Sequence, residues 1–234
     1  EGATPCSSPA EASTGVDVLL LGVRDDSAVD EVLFGANGAA SQLGIGSAVL
    51  DCSTIAPATA QHCAERLGRQ KVHYMDAPVT GGTEGAKRGS LTVLVGGASE
   101  ILERVQSILE VIGGSIHHFG GVGRGQQVKA VNQVLVAGSY AAVAEAVALG
   151  QRLELPMPQV IDALKNGAAG SWALDHRSIA MLEGSYPLGF RLSLHRKDLG
   201  IALDAAKVVQ LHLPVTTLVE QLELDLINNG HGDE

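Results

Sequence analysis

Lys129 is the residue best suited to proton transfer. It lies one turn into a long helical pattern, and Asn132 and Gln133 follow at i+3 and i+4, so the three share a face. Buried on a helix rich in small residues, a lysine has its pKa drawn toward neutrality, where it can give and take protons. Turned outward it is an ordinary solvated cation, and the spacing admits both readings. A second stretch, Asp76-Ala77-Pro78-Val79-Thr80-Gly81-Gly82, ends a strand with a hydroxyl and two glycines. Free backbone N–H groups beside a hydroxyl make an anion cradle, and ligands of α/β sheets sit at such strand ends; the plain alternative is a Gly-rich turn. Asp51-Cys52-Ser53-Thr54 is another strand end with two hydroxyls, where Ser53 or Thr54 is also a candidate N-cap. Lys197-Asp198 lies near Phe190, His195 and Arg196, although adjacent Lys-Asp residues are commonly a solvated pair.

Gly120-Gly121-Val122-Gly123-Arg124-Gly125 follows a strand and opens a helix, as a dinucleotide fingerprint does. Its spacing is G-x-G-x-G, and the acidic residue twenty positions on, Glu145, falls inside a helix and not at a strand end. The pattern fits a close-packing joint between strand and helix better. There is no G-x-S-x-G, and the other histidines show no metal-ligand spacing. No metal site is expected, and Trp172 is read as packing.

These residues must be positioned by the elements around them. Ser8-Pro9-Ala10-Glu11 is a helix start with a capping box. Short apolar runs at 16–21, 48–51, 72–76, 91–95 and 116–119 are strands, and helical patterns from Asp26 or Ser27, at 57–67 and at 101–112 lie between them. Alternating β and α argues a parallel or mixed sheet wrapped by helices. After Gly125 the pattern is helical only. Val128, Val131, Leu135, Gly138, Ala142, Ala146 and Leu149 keep one stripe over about seven turns. Further helices are expected at 159–166, 174–182, 194–209 and 214–228, and the division falls at 1–122 and 123–234.

Composition narrows the function classes. The chain has 234 residues, 45% of them hydrophobic, and 29 glycines. That is too apolar for a disordered chain, and no uninterrupted apolar run approaches the roughly 18 residues of a membrane span. A formal net charge of −10 without a basic patch argues against nucleic acid. Three cysteines, Cys6, Cys52 and Cys63, make neither a disulfide framework nor a zinc site, which suggests a reducing compartment. The first residues have no basic or apolar region of a signal peptide, so the expected location is cytoplasmic, with a mitochondrial matrix as the eukaryotic variant.

Taken in order, these motifs resemble the β-hydroxyacid dehydrogenases, the 3-hydroxyisobutyrate dehydrogenase family. The resemblance rests on Ser8-Pro9-Ala10-Glu11, Asp51-Cys52-Ser53-Thr54, Asp76 to Gly82, Gly89-Ser90-Leu91, Val95-Gly96-Gly97, Gly123-Arg124-Gly125, Lys129 with Asn132, and Lys197-Asp198-Leu199. It implies an α/β Rossmann-like domain, N-terminally incomplete, followed by an all-α domain like that of 6-phosphogluconate dehydrogenases and joined through one long helix. It implies NAD or NADP as cofactor and a small 3-hydroxy acid or its semialdehyde or keto acid as substrate. Lys129 matches the catalytic lysine. Thr80, Gly81 and Gly82 match the loop for the substrate carboxylate, and Asn132, Gln133 and Asp198 match further substrate positions. Thr54, Phe190 and Lys197 match cofactor positions. A homo-oligomer is expected, with no nucleic acid and no membrane as partner.

The sequence departs from that pattern in four places. Gln133 stands where the family usually has Asn, and Thr80 where Ser is commonest. Leu21-Gly22-Val23 replaces a stretch that lines the cofactor. The opening strand, G-x-G-x-x-G and helix are not in this sequence. The pyrophosphate cradle is the main anchor of a dinucleotide, so the chain is expected to be a truncated fragment that binds NAD(P) weakly and associates through an uncovered sheet edge. The alternative is a non-catalytic relative acting as scaffold, small-acid binder or oligomerisation module.

Overall fold

Four-residue apolar runs are too short to be helices and become the strands of a parallel sheet. β1 (Val18–Leu21), β2 (Ala48–Asp51) and β3 (His73–Asp76) pair in that order, in parallel. β2 is buried along its whole length, and its side chains alternate between two cores. Val49 joins Val29, Leu33, Ile55, Leu67 and Tyr74 on one face, while Ala48 and Leu50 join Met75, Val93, Val95, Val105 and Leu109 on the other. The register sets Leu21, Asp51 and Asp76 side by side at the carboxyl ends. β5 (Leu91–Val95) pairs antiparallel with the two-residue β4 (Val79–Thr80) and parallel with β6 (Gly113–His118). The two sheets meet where Asp76 and Gly96 exchange backbone hydrogen bonds, N–H to carbonyl at 3.0 and 2.8 Å.

The helices α1 (Pro9–Ala12), α2 (Asp26–Phe34), α3 (Pro57–Gly68), α4 (Gly82–Arg88) and α5 (Ser99–Ile112) connect the strands. Two starts differ from the sequence expectation. The N-cap of α2 is Asp25, whose carboxylate accepts Ala28 N–H at 2.8 Å. Asp26 instead reaches across to accept Ala56 N–H at 2.9 Å, at the start of α3. Neither Ser53 nor Thr54 caps α3; the Ser53 hydroxyl accepts Val23 N–H at 3.0 Å. At α1 the Ser8 hydroxyl accepts Glu11 N–H as expected, but Glu11 reaches back to Ser7 and not to Ser8. α4, of sequence Gly82-Thr83-Glu84-Gly85-Ala86-Lys87-Arg88, has no apolar period and so carries no helical signal in the sequence.

The computed structural model describes residues 2–186 and 188–234, which form two units, Glu1–Ala130 and Val131–Glu234. α6 (Arg124–Arg152) runs through the division, so the second unit contains most of it. With it are α7 (Met157–Leu164), α8 (Trp172–Glu183), α9 (Leu192–Val208), α10 (Pro214–Leu226) and a final π turn, Ile227–His231. One core of this unit gathers Val143, Val147, Met157, Ile161 and Leu174, and another gathers Ala137, Leu199 and Val219. The apolar stripe read from the sequence of α6 lies on its outer side: Val131, Leu135 and Leu149 are 62%, 69% and 61% exposed. The inward face is the one that carries Gln126, Lys129, Gln133, Ala137, Val143 and Val147. By length and composition alone α6 could cross a bilayer.

Gly125 shows how tightly the first turn of α6 is packed. A Cβ there would meet the Leu94 carbonyl, with the Asp76 carboxylate at 2.9 Å. Helix propensity alone predicts that Gly125→Ala stabilises by ~1 kcal/mol, whereas overpacking costs about 1–3 kcal/mol. Because the obstacle is backbone, the second effect wins. Gly125→Ala is expected to lower the melting temperature, as read by thermal and urea denaturation.

Candidate active site

Asp76 organises the polar residues of the first unit. It has no exposed surface. Its carboxylate accepts Gly123 N–H at 2.7 Å through Oδ1 and Gln126 N–H at 2.8 Å through Oδ2. These are N–H groups that a helix start leaves without helical partners, so a residue at the end of β3 caps α6 from 47 and 50 positions away. Burial pushes its pKa up from 3.8 to about 6. The two backbone bonds oppose that rise, and neighbouring Asp51 adds to it. Asp51 is likewise raised, chiefly by burial, and accepts the Tyr74 hydroxyl at 2.7 Å and Ser53 N–H at 2.9 Å.

One turn further along α6, the Lys129 ammonium donates to the Val79 carbonyl at 3.0 Å. Lys129 is only 8% exposed, which decides between its two readings in favour of the inward one. Val79 adjoins Thr80, the last residue of β4, and Gly81-Gly82 follow with φ of +127° and +65°. Those values favour glycine and make the turn between β4 and α4. Thr54 lies half-buried in the loop from β2 to α3, between Ser53 and Ile55. Both neighbours are tied to Gln126, whose side chain donates to the Ser53 carbonyl at 2.8 Å and accepts Ile55 N–H at 3.2 Å. Sequence reasoning passed over Gln126, because its partners lie 71 and 73 positions away. Burial pushes the Cys52 and Cys63 thiols up to about 12, so both stay protonated at neutral pH and neither is a nucleophile.

The second unit holds its own polar chain. Asn132 donates to the Gln133 side-chain oxygen at 2.7 Å, and Gln133 donates to Asp198 Oδ2 at 2.8 Å. Lys197 pairs with Asp198 Oδ1 at 2.9 Å. Gln133 and Asp198 are 2% and 3% exposed, so the Lys197-Asp198 pair is not a solvated surface pair. The added methylene of Gln133 is what carries its amide from α6 to α9. Phe190, 49% exposed, sets its ring edge-on to His195 at 5.5 Å between centroids. His195 is buried and bonds Glu223 of α10 at 2.6 Å; nothing in the spacing of residues 195 and 223 announces that contact. Among the described residues no group of three or more His, Cys, Asp or Glu could hold a metal ion.

Known proteins resemble this chain over its whole length. Residues 1–121 match the family model described as the NAD binding domain of 6-phosphogluconate dehydrogenase. Residues 123–234 match the model described as the NAD-binding domain of NADP-dependent 3-hydroxyisobutyrate dehydrogenase. An L-threonate dehydrogenase of Cupriavidus necator is 35% identical over 234 residues, covering 100% of this chain and 79% of that protein. A 2-hydroxy-3-oxopropionate reductase of Escherichia coli is 34% identical, covering 98% and 78%. The crystal structure of a 3-hydroxyisobutyrate dehydrogenase from Salmonella typhimurium superposes with a TM-score of 0.88 at 31% identity, over 97% of this chain and 80% of that one.

The raised pKa of Asp76 fixes the sign of a pH effect. Well below pH 3.8 its carboxyl is neutral in folded and unfolded chains alike, and the loss of stability begins as pH rises past that value. As pH climbs through about 6 the unfolded chain is already ionised and the folded one resists, so stability falls. A rise of roughly two units, at about 1.4 kcal/mol each, makes this ~3 kcal/mol by neutral pH. Asp76→Asn is expected to flatten that decline between pH 4 and 7. It should also lower stability at pH 4–5 by about 1–3 kcal/mol, because an amide cannot accept both N–H groups. Urea unfolding across the pH range checks both.

Proposed function

The chain belongs to the β-hydroxyacid dehydrogenase family, and we propose that it is an NAD(P)-dependent oxidoreductase interconverting a small hydroxy acid and its semialdehyde or keto acid. The observation that carries this is Lys129: buried, on the first turns of α6, with its ammonium at the Val79 carbonyl beside the Thr80-Gly81-Gly82 turn. The relatives named above support a short, polar hydroxy acid as substrate.

The chemistry follows from these groups. Lys129 is the general acid and base: its ammonium protonates the carbonyl oxygen in reduction, and its amine takes the hydroxyl proton in oxidation. The Val79 carbonyl keeps the ammonium aimed, where its charge also favours the developing alkoxide. The Thr80 hydroxyl and the backbone of Gly81 and Gly82 receive the substrate carboxylate. By the family resemblance, Asn132, Gln133 and Asp198 are assigned to the substrate, and Lys197 and Phe190 to the cofactor. A bound nicotinamide supplies or accepts the hydride. The residues present fit its ribose end. Thr54 offers a half-buried hydroxyl at the carboxyl end of β2, and no atom lies within 4 Å of where a Cβ on Gly22 would stand, just beyond β1. A non-catalytic scaffold is not favoured, since the named relatives are dehydrogenases and a reductase.

The helical unit also suits a homo-oligomer. On α10, Thr216, Val219 and Glu223 face inward while Val215, Leu218, Leu222 and Leu226 are 46–61% exposed along one side. This face and the outer stripe of α6 are exposed apolar faces of the kind a second copy would cover.

Titration with NADH and NADPH, followed by nicotinamide fluorescence, and turnover of a panel of small 3-hydroxy acids test the activity. Lys129→Ala is expected to lose about 100- to 10,000-fold in kcat; equal turnover by wild type and variant would reject Lys129 as the acid–base group. Leu218→Glu with Leu222→Glu is expected to shift the protein to a smaller species in light scattering, with the circular dichroism spectrum unchanged.

A further inference from the structure

We propose that Gln126 is a positioning residue that registers the Thr54 loop against the helix carrying Lys129. The proposal rests on Lys129 as the acid–base group. Gln126 is 1% exposed. A buried amide is costly unless both its ends are bonded, and here both are. The donor end holds the Ser53 carbonyl and the acceptor end holds Ile55 N–H, so the amide grips the backbone on each side of Thr54. A leucine of similar volume would fill the space but could not read that backbone.

The other bonds on this loop come from the β1–α2 side and from β2, where Asp26 accepts Ala56 N–H and Asp51 accepts Ser53 N–H, whereas Gln126 ties the loop to α6. The N-cap of α3, Ala56, makes no side-chain cap bond, and the Ser53 hydroxyl is engaged by Val23 N–H on the β1 side. Gln126 itself is fixed, because its N–H donates to the buried Asp76 carboxylate. Lys129 follows at i+3 on the same face of α6. A shift of this first turn therefore moves the Lys129 amine and the Thr54 loop relative to each other. Misplacement by about 1 Å costs on the order of 100-fold in rate.

Two variants test this. Gln126→Met keeps the length and removes both hydrogen bonds; Gln126→Glu keeps an acceptor for Ile55 N–H and loses the donor to Ser53. Each is measured well below its own melting transition for kcat, for cofactor KM and for the rate at which an amine-reactive reagent modifies Lys129, mapped by mass spectrometry. Both are expected to lose on the order of 10- to 100-fold in kcat, to raise the cofactor KM several-fold, and to speed modification of Lys129 while the other lysines react at wild-type rates. Folded variants with wild-type kcat, KM and Lys129 reactivity, and only a lower melting temperature, would overturn the proposal. The labelling separates the two readings. If Lys129→Ala turns over like wild type, the acid–base assignment fails, while altered Lys129 reactivity in the Gln126 variants still reports the registration.

Discussion

The bond pair between the Asp76 carboxylate and the first turn of α6 is the constraint on which the site depends. A helix of 29 residues presents the positive end of its dipole at Arg124, and the structure places a buried acid there. The dipole and two short N–H bonds favour the charged form, yet the pKa of Asp76 still rises, so desolvation outweighs them. The fold thus carries an electrostatic cost at neutral pH in order to hold α6 at the end of β3. That strand end is also where Asp76 and Gly96 join the two sheets. One residue therefore ties together both sheets, through its backbone, and the helix that bears Lys129, through its side chain.

This accounts for the glycines that first suggested a dinucleotide fingerprint. A Cβ on Gly96 would lie within 2.5–2.9 Å of the Asp76 carboxylate, one on Gly125 would meet Leu94, and Gly123 has φ of +92°. Gly123 and Gly125 of the G-x-G-x-G run are what let the backbone close around a carboxylate of its own chain. A phosphate cradle uses similar N–H groups for a ligand; here they are already occupied.

What was legible in the sequence follows from how local each signal is. The buried strands and the switch from alternating β and α to helix alone were readable because β2 and α6 each repeat their own period. Caps were less so. Asp25, Asp26 and Ser27 are adjacent and all suited to capping, and only the approach of α3 shows that Asp26 serves Ala56. The stripe of α6 was legible as a pattern but not in its direction, since Val131, Leu135 and Leu149 face outward while Gln126, Lys129, Gln133, Ala137, Val143 and Val147 face in. Lys129, Thr80 and Asp198 stand out by residue type and placement and take their roles from the ordered resemblance to a family, whereas the Gln126 contacts and the His195–Glu223 pair have no such signal. The partners lie at least 28 positions apart, and no periodicity encodes such a contact.

The same logic explains why the polar residues of the helical unit come as a chain and not as isolated groups. Asp198 is almost wholly buried, and a lone buried carboxylate is costly. Gln133 donates to one oxygen and Lys197 pairs with the other, so each partner offsets part of the desolvation. An Asn at position 133 would have a shorter reach, and the Asp198 oxygen would need another donor. The Gln at this position and the burial of Asp198 are therefore one feature, set by the distance between α6 and α9. His195 and Glu223 repeat the device between α9 and α10, and Phe190 packs on the ring they fix. His195 and Asp198 are thus held by partners on both neighbouring helices, α10 and α6.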